Sequence, residues 1–144
     1  MNYRETRFCE NLNIMQFDTE GEYNTPILEP YKYEPAEFVG FNYARSAKNK
    51  KEKGLHFFVD DYQFERLWRE PLAYVNLIGE FHSIMTPDFS LYTDYPKALQ
   101  IYNHYRKHWV AAYWQAHGIT VIPTIRCSTD ERSLGWYLDG EPED

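Results

Sequence analysis

Three aspartates stand directly after short apolar runs. Asp60 and Asp61 follow LHFFV (residues 55–59), and Asp88 follows the short run at 83–86. In α/β folds ligands bind at the carboxyl ends of strands, where neighbouring loops converge. Carboxylates that share such a rim offer hard oxygen ligands to Mg²⁺ or Mn²⁺ and leave positions open to water or a phosphate oxygen. Asn42, Thr124 and Arg126 occupy the equivalent places after two further runs. One reading is therefore a metal-dependent phosphoesterase or nuclease with Asp60, Asp61 and Asp88 as ligands. Local roles compete with it. Asp61 ahead of YQFERLW is placed to cap a helix, and Asp88 after Pro87 is placed in a turn.

A second group is cationic. Residues 44–54, ARSAKNKKEKG, carry Arg45, Lys48, Lys50, Lys51 and Lys53 against one Glu52. Such a loop can hold phosphate, with an affinity that falls steeply with salt, although charge runs are commonly solvated connections. Tyr43, Tyr62 and Phe64 lie nearby in sequence and could stack on single-stranded bases. His104 and His108 have the i, i+4 spacing of helical metal ligands, but no Glu lies between them. With Arg106 and Lys107 alongside, they read as a solvated basic face. His56 reads as a core or rim histidine, and His82 and His117 have no evident partner. Cys127 beside Arg126 could carry a lowered thiol pKa, yet a small buried cysteine is the commoner outcome. Serine-elbow, dinucleotide-binding and P-loop patterns are absent, so acyl transfer, dinucleotide binding and NTP hydrolysis lack their usual signatures.

The elements that must position these residues read as β, basic loop, β, α, α, β, α, β. The strands are expected at 38–43, 55–59, 83–86 and 119–125, with Pro123 marking a bulge or edge. Short helices are expected at 62–68, stopped by Pro71, and at 74–81. The longest helix runs from about Pro96 to His117, with Asp94 as N-cap and Gly118 as the residue that ends it. Its apolar positions Ala98, Ile101, Tyr102, Tyr105, Trp109, Ala112, Tyr113 and Ala116 recur at steps of three or four. Lys97, Gln100, Asn103, His104, Arg106, Lys107 and His108 fall mostly elsewhere. Residues 1–37, broken by Pro26, Pro30 and Pro35, read as an irregular arm on a single α/β domain at 38–144. The expected fold is α/β, with about four mostly parallel strands in an open sheet or partial barrel.

Composition limits the classes further. The 144 residues carry a formal charge of −7, so a general nucleic-acid coat is a poor fit. No apolar run approaches the roughly 20 residues of a membrane span. The N-terminal MNYRETRFCENLN has charges where a signal peptide would be apolar, so the chain reads as cytoplasmic. Two cysteines, Cys9 and Cys127, build neither a disulfide framework nor a four-thiolate zinc site. Aromatics reach 18%, with 13 Tyr, 9 Phe and 4 Trp. Phe and Trp are expected in the core, while the tyrosines are open to a contact surface. An acidic, Tyr-rich chain of this kind can engage a basic cleft on another protein.

The segments VGFNYA (39–44), KEKGLHFFVDDYQFERLW (51–68), TPDFSLYTDYPKALQIYNHYRKHWVAAYWQ (86–115) and GITVIPTIRCS (118–128) resemble the family called domain of unknown function 4417. The resemblance covers about residues 36–140 and implies a phage, plasmid or other mobile element in a bacterial cytoplasm. It implies no activity, catalytic residue or cofactor. Members of the family extend through further strand–helix units after the stretch matching WYLDG, whereas this chain ends in EPED, so an exposed edge strand is expected. Three functions follow. The first is an accessory protein that binds nucleic-acid machinery or a host-defence component. The second is the Mg²⁺- or Mn²⁺-dependent hydrolase. The basic loop would hold phosphate in that second reading, and the third is a nucleotide or small-ligand module using the same strand-end rim without chemistry. A macromolecular partner, protein or nucleic acid, is expected, with no membrane and no signal for oligomeric state.

Overall fold

A computed structural model describes residues 10–32, 34, 36–92, 94–125 and 135–142. A two-stranded antiparallel hairpin comes first, β1 (Thr19–Glu20) with β2 (Thr25–Pro26). A four-stranded sheet follows, made of β3 (Glu37–Gly40), β4 (Lys53–His56), β5 (Ser83–Met85) and β6 (Val121–Ile122). The order is β3-β4-β5-β6 and every pairing is parallel, so the sheet is open and sequentially wound. Its helices are α1 (Arg66–Arg69), α2 (Pro71–Ile78) and α3 (Lys97–Ala116). Among the described residues, no helix is long and apolar enough to cross a membrane.

The α/β expectation holds, with shorter strands. β3 gives way to a 3₁₀ turn at Phe41–Tyr43, and β4 starts at Lys53, inside the stretch read as loop, because Lys53 pairs with Glu37. The Phe58 N–H turns back to the His56 ring, which ends β4. β6 stops before Pro123, which has no N–H to extend the ladder. Pro71 stops α1 and also opens α2 as its first residue, the helical position proline favours. Pro26, read as a breaker, closes the hairpin ladder opposite Thr19.

Strand register lines up Val39, Leu55, Ile84 and Val121 as one row across the sheet. Rings pack on this row: Phe57 stacks between Phe41 and Trp114, and Trp68 meets Trp109 edge-on with centroids 5.6 Å apart. The aromatic content is thus largely core, as expected for Phe and Trp, and Phe64 belongs there too rather than at a base-stacking surface.

α3 departs most from expectation. Its span agrees to within one residue and it closes in a Schellman motif, with Gly118 at φ +77° and the Ile119 N–H bonded to the Trp114 carbonyl. No side chain caps its start, so Asp94 is not its N-cap. The polar positions off the apolar stripe are buried, Lys97 excepted: Gln100, Asn103, and the His104, Arg106, Lys107 and His108 face read as solvated. α3 is enclosed because it packs against α1 and β6 and also against β2. The N-terminal arm binds it by hydrogen bonds from Trp109 Nε1 to the Met15 carbonyl (3.1 Å) and between the Gln115 amide and the Glu29 backbone (3.0 and 3.1 Å).

On the sheet face away from the Val39–Val121 row, the Phe38 ring lies where a Cβ on Gly54 would project. Gly54→Ala is expected to destabilise the protein by about 1–3 kcal/mol, the range for overpacking. The loss should shrink in a Phe38→Ala background, measured by urea denaturation of all four variants. Equal losses in both backgrounds would sink this account.

Candidate functional site

Because β3 to β6 are parallel, the loops after them open at one edge of the sheet. Loops after β4 and β5 enclose a cavity of about 550 Å³ whose lining includes Asp60, Asp61 and Asp88. Those three aspartates, placed together by sequence reasoning, therefore share one cavity. The Phe58, Tyr62, Tyr92 and Tyr95 rings complete much of the wall.

The three carboxylates differ in their surroundings. Asp61 accepts hydrogen bonds from the Ser90 N–H and hydroxyl, both at 2.9 Å, which ties the β4 loop to the β5 loop. It does not cap the turn that follows, so the capping role expected for it is not taken up. Asp88 is buried and is more than a turn residue. Both its oxygens accept from the Thr124 hydroxyl (2.7 and 2.6 Å), and Thr86 adds a bond at 3.2 Å. Asp60 is exposed, and its carboxylate has no hydrogen-bond partner among the described residues. Among those residues, no three His, Cys, Asp or Glu side chains are gathered so as to hold a metal ion.

The basic loop lies elsewhere. Lys50 and Lys51 sit in a 3₁₀ turn just before β4, and Lys53 is its first residue, so all three are at the amino edge of the sheet. Lys50 pairs with Glu80 at 2.9 Å. Arg45 lies over the Tyr74 ring and shares a separate pocket with Asn42. Lys48 and Tyr43 are exposed on the connection after β3. The structure therefore does not bring the carboxylates and the loop lysines to one site. Arg126, Cys9 and Cys127 lie outside the described residues.

Sequence reading missed the polar assembly behind the cavity. Lys107, 3% exposed, points its ammonium between Asp88 and Glu141, each at 3.3 Å, and donates to the Thr124 carbonyl. His108 bridges the Pro26 carbonyl (2.9 Å) and Glu141 (3.1 Å). A second chain runs from Asp61 through Ser90 to Asn103, whose amide donates to the Ser90 carbonyl at 2.7 Å. Arg106 continues it, bonding Asn103 at 2.6 Å and Glu65 at 2.7 Å. His104, Lys107 and His108 share one helix face by spacing, a signal visible in the sequence. Their burial was not visible, because it depends on residues 136–142. His82, read as unpartnered, bonds Glu34 at 3.0 Å.

Burial sets the protonation states. It lowers the His104 pKa to about 3, helped by the charges of His108 and Lys107. The ring is thus neutral, donating from Nε2 to the Asp139 carbonyl at 3.0 Å. Burial pushes Glu141 up, but the His108 hydrogen bond and the Lys107 charge outweigh it, so its net shift is downward. Burial also lowers His56, which keeps its Nδ1 free to accept the Phe58 N–H at 3.2 Å.

Fold and site together define an open α/β domain with a carboxylate- and tyrosine-lined cavity at the carboxyl edge of a parallel sheet. The chain belongs to the family described as Domain of unknown function (DUF4417), matched over residues 17–143. It is 40% identical over 134 residues to the Gene 1 protein of Mycobacterium phage L5, covering 91% of this chain and 58% of that protein. It is 38% identical over 135 residues to the Gene 1 protein of Mycobacterium phage D29, covering 92% and 50%. The chain thus spans about half the length of the curated relatives it matches. No solved structure matches it.

Lys107→Met would leave Asp88 and Glu141 buried without their cation. The expected loss is about 3–5 kcal/mol in urea denaturation, and a loss below about 1 kcal/mol would contradict the assigned role. His104 gives a pH signature. Its folded pKa lies below the unfolded 6.5, so its contribution is complete above pH 6.5 and is lost as pH falls toward 3. Glu141 adds loss in the same direction below its unfolded value of 4.5. Urea midpoints should decline from pH 7 to pH 4, and His104→Gln should flatten that slope. An unchanged slope would assign the dependence to other groups.

Proposed function

We propose that this chain is an accessory protein of a phage or other mobile element that acts by binding, with the strand-end cavity as its contact site. The partner is macromolecular, a component of nucleic-acid machinery or host defence. The observation that carries this reading is the convergence of exposed rings on one cavity. Phe58 is 65% exposed, Tyr62 77% and Tyr92 57%, and all three line it. Aromatic side chains held in water at one mouth bury large area at little entropic cost when a partner arrives.

Hydrolysis is the second reading, supported by the presence of Asp60, Asp61 and Asp88 in the same cavity. Against it, Asp61 and Asp88 spend their oxygens on Ser90, Thr86, Thr124 and Lys107, and Lys50, Lys51 and Lys53 are at the far edge. Mg²⁺ or Mn²⁺ would then rest mainly on Asp60. A nucleotide module using the same cavity is a third form of the idea.

Two measurements separate these readings. A photo-crosslinking residue at Tyr62 should give a discrete, salt-sensitive adduct in infected-cell lysate, while the same residue at Lys51 gives none. Thermal melts should not move with Mg²⁺, Mn²⁺ or nucleotides. A saturable metal shift lost in Asp60→Asn would install the hydrolase reading, and equal adducts at both positions would remove the cavity as the contact site.

A further inference from the structure

We infer that the cavity takes a cationic side chain, the guanidinium or ammonium of an arginine or lysine presented by a basic segment of a protein partner. This rests on the binding reading above and names its ligand.

The argument begins with charge. No Lys, Arg or His lines the cavity among the described residues. The Asp88 charge is offset by Lys107 at 3.3 Å, but among the described residues Asp61 is held by neutral Ser90 groups alone and Asp60 has no hydrogen-bond or ion-pair partner. Among the described residues the site therefore keeps uncompensated negative charge, in a chain whose net charge is −7. A phosphate would meet Asp60 and Asp61 as like charges. Among the described cations of the basic loop, Lys50, Lys51 and Lys53 belong to the opposite edge of the sheet, and Arg45 lines a separate pocket.

The rings favour the same ligand. A cation within about 6 Å of an aromatic centroid is attracted by the ring quadrupole, and arginine also stacks flat on it. Phe58 is stacked on His56 with centroids 5.2 Å apart, and Tyr92 meets Tyr95 edge-on at 5.4 Å. These rings are pre-set, so binding orders few side chains. The fold already makes such a contact internally: the Arg106 guanidinium lies 4.0 Å from the Phe89 centroid, beside the Asn103–Ser90–Asp61 chain. A volume of about 550 Å³ holds one long side chain with part of its flanking backbone.

The test is fluorescence anisotropy with a labelled arginine-rich peptide and its citrulline counterpart, which matches the shape without the charge. The arginine peptide should bind at least about tenfold more tightly, equivalent to about 1.4 kcal/mol. Asp60→Asn and Tyr62→Ala, both exposed positions, should each weaken it several-fold with unchanged urea midpoints. Glu52→Gln, at the far edge, should leave it unchanged. Equal affinity for the two peptides would overturn the inference. So would losses in Glu52→Gln matching those in Asp60→Asn, since binding would then be diffuse attraction. A single-stranded oligonucleotide is the competing probe. If it binds through Tyr62 while the arginine peptide does not, the cation falls and the binding reading stands. If neither binds and crosslinking at Tyr62 also fails, both fall.

Discussion

A single ammonium buried at the carboxyl edge of the sheet is the constraint around which the rest is arranged. Lys107 cannot be left in an apolar interior without counter-charge. Asp88 and Glu141 supply it, and Thr124 contributes its carbonyl. These partners come from the loop after β5, the segment after β6 and the chain near residue 140. Satisfying one cation therefore brings three distant stretches to one helix. The aromatic core fills the volume beneath, but it does not specify which loops meet. The polar assembly does that, and the cavity inherits its shape from it.

The sheet separates its charges by end. Every chain direction is the same, so whatever follows a strand gathers at one edge and whatever precedes a strand gathers at the other. Lys50, Lys51 and Lys53 fall at the start of β4 and the aspartates after β4 and β5. The stretch from Lys50 to Lys53, near Asp60 and Asp61 in sequence, is thus a strand length away in space. That separation, rather than the net charge alone, makes the cavity acidic and aromatic.

Much of the frame was legible in the residues. Apolar runs ending in polar clusters located the parallel strands and predicted that Asp60, Asp61 and Asp88 would share a rim. The three- and four-residue steps and Gly118 located α3 to within a residue. Its environment was misread, because periodicity reports which side is more apolar and not whether the other side is also covered. Arg106, Lys107 and His108 look like a solvated stripe until the hairpin and residues 136–142 are placed over them. Asp61 and Asp88 were similarly ambiguous. Their competing local roles could be weighed from neighbours in sequence, whereas Ser90 and Thr124 lie 29 and 36 residues away.

The closure between the N-terminal hairpin and residues 136–142 has a consequence for the order of assembly. The Gly140 N–H bonds Glu20, and its carbonyl accepts from the Leu28 N–H, so the arm and the late segment hold one another over α3. During synthesis the hairpin, the four strands and α3 are all made before residues 136–142 exist. Until then Glu141 is missing, the buried face of α3 is wet, and Lys107 has only part of its shell. Contacts of such long sequence separation form late and impose the largest loop-closure cost. A chain that has not yet made residues 136–142 therefore leaves one side of α3 uncovered, and those residues complete its enclosure.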